Sequence, residues 1–130
     1  MCEKLVSHKL SSFCEKHVFL SASQFSYRNG LGCTDALKTM SHHLQKSLDT
    51  EIDSYIVQLD LSSAFDRVSH SGLLLKLKYI GVGDSVLSIC REFLSNRRQR
   101  VVVDGATSES ILIASGVPQG IVLGPLLFIL

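Results

Sequence analysis

The stretch Tyr55 to Val68, YIVQLDLSSAFDRV, constrains this chain more than any other. Tyr55, Ile56 and Val57 favour extended backbone, and the run ends on an acid, Asp60. With a side-chain period of two, Ile56, Gln58 and Asp60 share one face, and Tyr55, Val57 and Leu59 share the other. So apolar a run is expected to be a strand covered on both faces. A carboxylate at the end of a buried strand needs a cation, hydrogen-bond donors or water around it. Asp60 therefore reads either as a metal ligand or as a structural acid capping the turn through Ser62, Ser63 and Ala64. Spacing alone does not choose between the two.

The chain has 130 residues, enough for one domain with a modest core. A hydrophobic fraction of 45% excludes a disordered chain, and a net charge of +1 excludes a global basic field for nucleic acid. Cys2, Cys14, Cys33 and Cys90 form no CxxC pair, which predicts reduced, buried thiols in an intracellular protein. Glu3, Lys4, His8 and Lys9 leave no room for a signal-peptide apolar core. The apolar run Ile121 to Leu130 is interrupted by Gly124 and Pro125 and falls short of the ~20 residues of a membrane span, so no membrane partner is expected. A run that stops inside a core-like segment predicts that the chain is a piece of something longer, and the helical pattern right after Met1 suggests the same of its start.

Apolar spacing predicts a helix over residues 3–14, with Leu5, Val6, Leu10 and Phe13 on its inner stripe, followed by an extended piece from His17 to Leu20. Residues 21–32 (SASQFSYRNGLG) form a loop by composition. Gln24, Phe25, Tyr27 and Arg28 in it can stack on a base and hold a phosphate, or can plug the core. Thr34 is the expected N-cap of a second helix whose stripe is Leu37, Met40, Leu44 and Leu48. His42 and His43 are adjacent and point apart, which argues against a zinc site shared with Cys33. Beyond the central stretch, a helix from Ser71 to Ile80 turns inward Leu73, Leu74, Leu77 and Ile80. A second, capped by Asp84, turns inward Val86, Leu87, Cys90, Phe93 and Leu94. The pair is expected as an αα-hairpin on one side of a sheet.

Arg97, Arg98 and Arg100 form the densest basic cluster. They suit either a phosphate contact or a solvated strand edge, where charge blocks aggregation. Val101 to Val103 and Ile111 to Ala114 read as a β-hairpin with a loop longer than two residues. In Ser115 to Gly120 (SGVPQG), Pro118 holds Val117 extended and Gly116 and Gly120 permit a close approach of backbone to a ligand. Gln119 can both donate and accept. A nucleotide-contacting loop and a plain turn share these ingredients.

In this order the segments VQLDLSSAFDRV and SGVPQGIVLGPLLFIL resemble the reverse transcriptases of non-LTR, LINE-type retrotransposons. QFSYRNGLGCTDAL resembles the segment before the first catalytic strand of that family, usually Gln-x-Gly-Phe-Arg, with Ser26 and Tyr27 standing where Gly-Phe is usual. FLSNRRQRVVVDG resembles the connection between the two motifs. The likeness runs over nearly the whole chain. It implies an α+β fold, a partial right-hand polymerase with an antiparallel sheet backed by helices: residues 1–53 on the fingers side and 54–130 in the palm. It implies RNA-templated addition of deoxynucleotides to a DNA 3′ end by two-metal phosphoryl transfer, with Mg2+ (Mn2+ as a substitute) as cofactor. RNA template, DNA primer and dNTP would be the partners, within a ribonucleoprotein of cytoplasm and nucleus.

By the same resemblance Asp60 matches the first catalytic aspartate, and the Leu61 carbonyl a backbone ligand of the metal. Phe65 matches the aromatic gate against a ribose 2′-OH. Gln119 and Gly120 match the loop that touches the incoming nucleotide, and Arg28 a nucleotide or template contact. Asp66 matches a position with no assigned role. The family's next motif, an aromatic followed by any residue and two aspartates, has no counterpart here, because no Asp follows Asp104. The thumb, the endonuclease and the upstream fingers motifs are likewise absent from the 130 residues. The chain alone is therefore expected to be inactive and aggregation-prone. A competing reading is a non-enzymatic retrotransposon remnant with at most weak nucleic-acid binding. A different Mg-dependent phosphotransferase built on Asp60 would leave SGVPQG unexplained.

Overall fold

The computed structural model describes residues 2–130, with side chains from Glu3 onward. Among the described residues, five α-helices and two small antiparallel hairpin ladders make an α+β arrangement. Helix α1 (Cys2–Lys16) is longer than its apolar pattern required and is followed by a turn, not the expected extended piece. It buries Val6, Leu10 and Cys14, an i, i+4, i+8 stripe, while Leu5 points to solvent. Helix α3 (His70–Tyr79) starts one residue before Ser71, because the Ser69 hydroxyl accepts from the Gly72 N–H at 3.2 Å and takes the cap. Helix α4 (Asp84–Leu94) begins at the expected acid, which sits in its first turn after an N-cap at Gly83. Leu73 and Leu77 of α3 pack with Leu87, Cys90 and Leu94 of α4 in the αα-hairpin read from the sequence.

The core is made mainly by helices, with Leu20, Val82, Val117 and Leu130 joining it from outside them, and no strand residue belongs to it. Helix α5 (Leu123–Ile129) lies against α1, and Leu123, Leu126 and Leu127 join the stripes of α1, α3 and α4 in one cluster. The Glu3 carboxylate accepts from the Leu123 N–H at 2.9 Å and satisfies an orphan donor of α5. The helical hairpin thus packs into a helix cluster, where a sheet was expected to receive it.

Three further expectations from the sequence fail. The run Tyr55 to Asp60 is extended but belongs to no strand among the described residues, and it is open on both faces: Tyr55 is 90% exposed and Leu59 87%. Its backbone has no neighbouring strand to pair with, and a lone strand gains nothing to offset its ordering. Helix α2 (Cys33–Asp49) forms, but buries no residue, and Leu37, Met40 and Leu48 of its stripe face solvent. Its N-cap is Gly32 and not Thr34, with the Asp35 carboxylate accepting from the Gly32 N–H at 3.0 Å. The hairpin is tighter than expected. Strands β2 (Val102–Val103) and β3 (Ala106–Thr107) pair across Asp104 and Gly105 alone. Both residues have positive φ, +47° and +80°, the mark of a type I′ turn. Below it, β1 (Arg98–Gln99) pairs with β4 (Ile111–Leu112). All four strands are exposed.

Of the cysteines, Cys14 and Cys90 are buried free thiols, as expected, whereas Cys33 is exposed. Cys2 lies outside the residues whose side chains are described. No helix of the described residues is long and apolar enough to cross a membrane.

Candidate functional site

The two motif segments meet on one side of the helix cluster. After Asp60 the chain turns through Ser63, which adopts φ +53°, into a 3₁₀ turn at Phe65–Arg67. The segment after β4 then docks on that turn. The Gly116 N–H donates to the Val68 carbonyl at 2.8 Å, and the Val117 N–H to the Phe65 carbonyl at 2.9 Å. The Ser115 hydroxyl donates to the Asp66 carbonyl at 3.0 Å, and Ser69 and Ser115 form an isolated β-bridge. Gly116 is the residue this approach requires. It is buried with φ +92°, and a Cβ there would lie 2.9 Å from the Asp66 Cα and 3.0 Å from the Asp66 carbonyl oxygen.

A further tie was invisible in the sequence. The His70 Nε2 lies 2.7 Å from the Gly116 carbonyl oxygen, so its N–H tautomer joins the first turn of α3 to the SGVPQG loop. His70 stands just after a capping serine, and nothing in that position marks it as the partner of a glycine 46 residues away. Ser115 and the backbone of Asp66 likewise build the site, and no local pattern in the sequence shows that they meet.

The aromatic residues come together. The Phe65 ring stacks on Phe128 of α5, with centroids 4.2 Å apart and planes 17° from parallel. Tyr27 meets Phe65 edge-on at 5.9 Å, which brings the 21–32 loop to the turn after Asp60. Arg28, beside Tyr27, is committed to α1 and to its own loop. Its guanidinium forms a two-point pair with Glu15, 2.8 and 2.6 Å, and donates to the Ser21 carbonyl at 2.8 Å and towards that of Gln24. Hydrogen bonding from Arg28 holds the Glu15 carboxyl below its usual range and raises the Arg28 pKa.

Asp60 and Gln119 face different spaces. Asp60 and Leu61 line a cavity of about 310 Å³ with Ser62, Ala64, Arg67, Val68 and Phe128. Gln119 lines a larger one, about 620 Å³, with Asp66, the arginines at 97, 98 and 100 and the loop from Ser115 to Pro118. Of the 3₁₀ turn, Asp66 lines the larger cavity and Arg67 the smaller. Gln119 and Gly120 are exposed. Asp60 and the Leu61 carbonyl are oxygen donors of the type that hard divalent cations take. Among the described residues no three His, Cys, Asp or Glu side chains cluster for a metal, so these donors do not complete a shell by themselves.

Comparison with known proteins gives the family that carries these motifs. A family profile described as reverse transcriptase (RNA-dependent DNA polymerase) matches residues 1–130. The chain is 31% identical over 126 residues to the probable RNA-directed DNA polymerase from transposon BS of Drosophila melanogaster, covering 97% of this chain. It is 33% identical over 128 residues to the probable RNA-directed DNA polymerase from transposon X-element of the same species, covering 98%. It is 31% identical over 128 residues to the RNA-directed DNA polymerase from mobile element jockey of Drosophila funebris. The chain spans about 14% of the length of each of these relatives. No solved structure matches it.

Proposed function

This chain belongs to the reverse transcriptase (RNA-dependent DNA polymerase) family of non-LTR retrotransposons, and on that premise we propose that it is the fingers-and-palm part of an RNA-directed DNA polymerase. Residues 1–53 supply the fingers side and residues 54–130 the palm. The observation that carries the reading is the docking of the Ser115–Val117 segment on the turn from Phe65 to Val68, through bonds of 2.8 and 2.9 Å and a glycine with no room for a side chain. It makes the turn that follows Asp60 the support of the Ser115–Val117 segment.

On that support each residue has a task. Phe65, held by Phe128, presents a stiff ring that discriminates against a 2′-OH by clash. Gln119 and Gly120 touch the incoming nucleotide. Arg28 acts through the loop it pins to Glu15, and so sets where Tyr27 stands. Asp60 and the Leu61 carbonyl give part of a shell for Mg2+ or Mn2+, which when bound neutralises charge on the reacting phosphates. RNA template, DNA primer and dNTP are the substrates of the whole protein, within a ribonucleoprotein of cytoplasm and nucleus.

The test is RNA-templated primer extension by a longer protein that joins this segment to an aromatic-x-Asp-Asp segment. Extension is expected with Asp60 and lost in Asp60→Asn, while the 130-residue chain alone extends nothing. Extension that survives Asp60→Asn, or extension by the 130-residue chain alone, overturns the reading. The exposure of the run from Tyr55 to Leu61 favours a second reading, a non-enzymatic remnant. An open coding frame that carries the aspartate pair downstream decides against the remnant, and a stop codon or frameshift decides for it.

A further inference from the structure

We propose that the cavity between the entrance of β1 and the Pro118-Gln119 turn binds the phosphate groups of a nucleic-acid strand. Arg97, Arg98 and Arg100 line it, and Asp66 is the one acidic residue in its lining. None of the three has an acidic partner. The ion pairs among the described residues are Arg28 with Glu15 and Lys38 with Asp35.

Two of these arginines are held in place. Arg97 lies 5.4 Å from the centre of the Phe93 ring and donates weakly to the Phe93 carbonyl. Arg98 donates to the Ser110 hydroxyl at 3.0 Å and to the Ser110 carbonyl at 2.9 Å. A charge that only protects a sheet edge needs no fixed geometry, because solvation does that work. Arginines fixed before a ligand arrives lose less freedom when it binds. With Gln119 they line one concave space, which is what an anion site needs.

The spacing argues for a strand over one isolated anion. Residues 97–100 run nearly extended, so the cluster covers on the order of 10 Å. One phosphate occupies one guanidinium fork, and a chain of phosphates engages all three. With a net charge of only +1 the attraction is local and must be screened by salt. The inference rests on the polymerase reading for the identity of the polyanion, but its test needs neither Asp60 nor a metal, so the two can fail separately.

The experiment is fluorescence anisotropy of a labelled 20-nucleotide oligouridylate with the 130-residue chain in EDTA. Each phosphate contact to a single strand contributes about −0.7 to the slope of log K against log salt. Three contacts predict a slope near −2, or roughly 18-fold weaker binding at 200 mM than at 50 mM salt. Arg98→Gln with Arg100→Gln should remove about two thirds of that slope, and Arg98→Lys with Arg100→Lys should retain most of it. The charge-matched control, Lys38→Gln with Lys46→Gln on α2, should leave it unchanged. A readout on the unaltered chain guards against misfolded variants: oligouridylate should protect Arg97, Arg98 and Arg100 from phenylglyoxal and leave the exposed Arg91 reactive. No binding, equal loss in the α2 control, or equal modification at Arg91 and the cluster overturns the proposal. So does displacement by tripolyphosphate at equal phosphate concentration, which would assign the cavity to a nucleotide's phosphate tail.

Discussion

Replacing Gly116 by alanine tests whether the two motif segments are docked as described. Two costs add. The residue has φ +92°, outside the region that L side chains favour, which costs about 1–2 kcal/mol. The new methyl would lie 2.9 to 3.1 Å from the backbone of Asp66 and Phe65, and neither neighbour is a flexible side-chain tip. Overpacking of this kind costs about 1–3 kcal/mol. Relief by shifting the loop would strain the 2.8 Å bond to Val68 and the 2.7 Å contact with His70. A total of about 2–5 kcal/mol is expected, a large part of the stability of a small domain. Gly81→Ala is the control: its φ is +86°, but nothing lies within 4 Å of its Cβ position, so only the conformational cost of about 1–2 kcal/mol applies. Urea titration of both variants, followed by circular dichroism, measures the difference at a common m-value. If Gly116→Ala is no more destabilising than Gly81→Ala, the close approach does not exist and the docking argument falls.

Two further outcomes are expected. The Glu15 carboxyl titrates below its usual value because Arg28 hydrogen-bonds its charged form. Its contribution to stability is therefore present above the unfolded pKa near 4.5 and lost as pH falls through the lower folded value. Melting curves from pH 6 to pH 3 should show a fall that is shallower in Glu15→Gln, and an unchanged fall would refute the role of the pair. Burial, with a smaller push from the Glu15 charge, raises the Cys14 thiol to about 11, and burial alone raises that of Cys90. Peptide mapping after alkylation at pH 8 should find Cys33 modified in the native chain and Cys14 and Cys90 only after denaturant. Early labelling at Cys14 would mean that the contact of α1 with α5 opens readily.

The helices were legible because their signals are local. Leu73 and Leu77, or Leu87, Cys90 and Leu94, repeat with the helical period whatever lies around them, and both stripes are buried where expected. The central run was misjudged for the opposite reason. Residues 55–60 have the composition of a strand, but a strand is completed by its neighbours, and no described residue pairs with it. The stripe of α2 repeats correctly and still finds nothing to cover it. The tight hairpin could have been read from Asp104-Gly105, a dipeptide suited to a type I′ turn.

Sequence alone determined the family, because SGVPQG and the acid-ended run are chemical patterns that survive without coordinates, and it determined the faces that α3 and α4 bury. Tertiary structure alone decided what those patterns touch. It joined His70 and Asp66 to the loop at Gly116, set Tyr27 and Phe128 around Phe65, and spent Arg28 on Glu15. It also gathered three arginines around one cavity with Gln119 and left Asp60 in another. The reason is physical: periodicity and turn chemistry act over a few residues, whereas these contacts join groups 13 to 49 positions apart or more, and only packing brings them together.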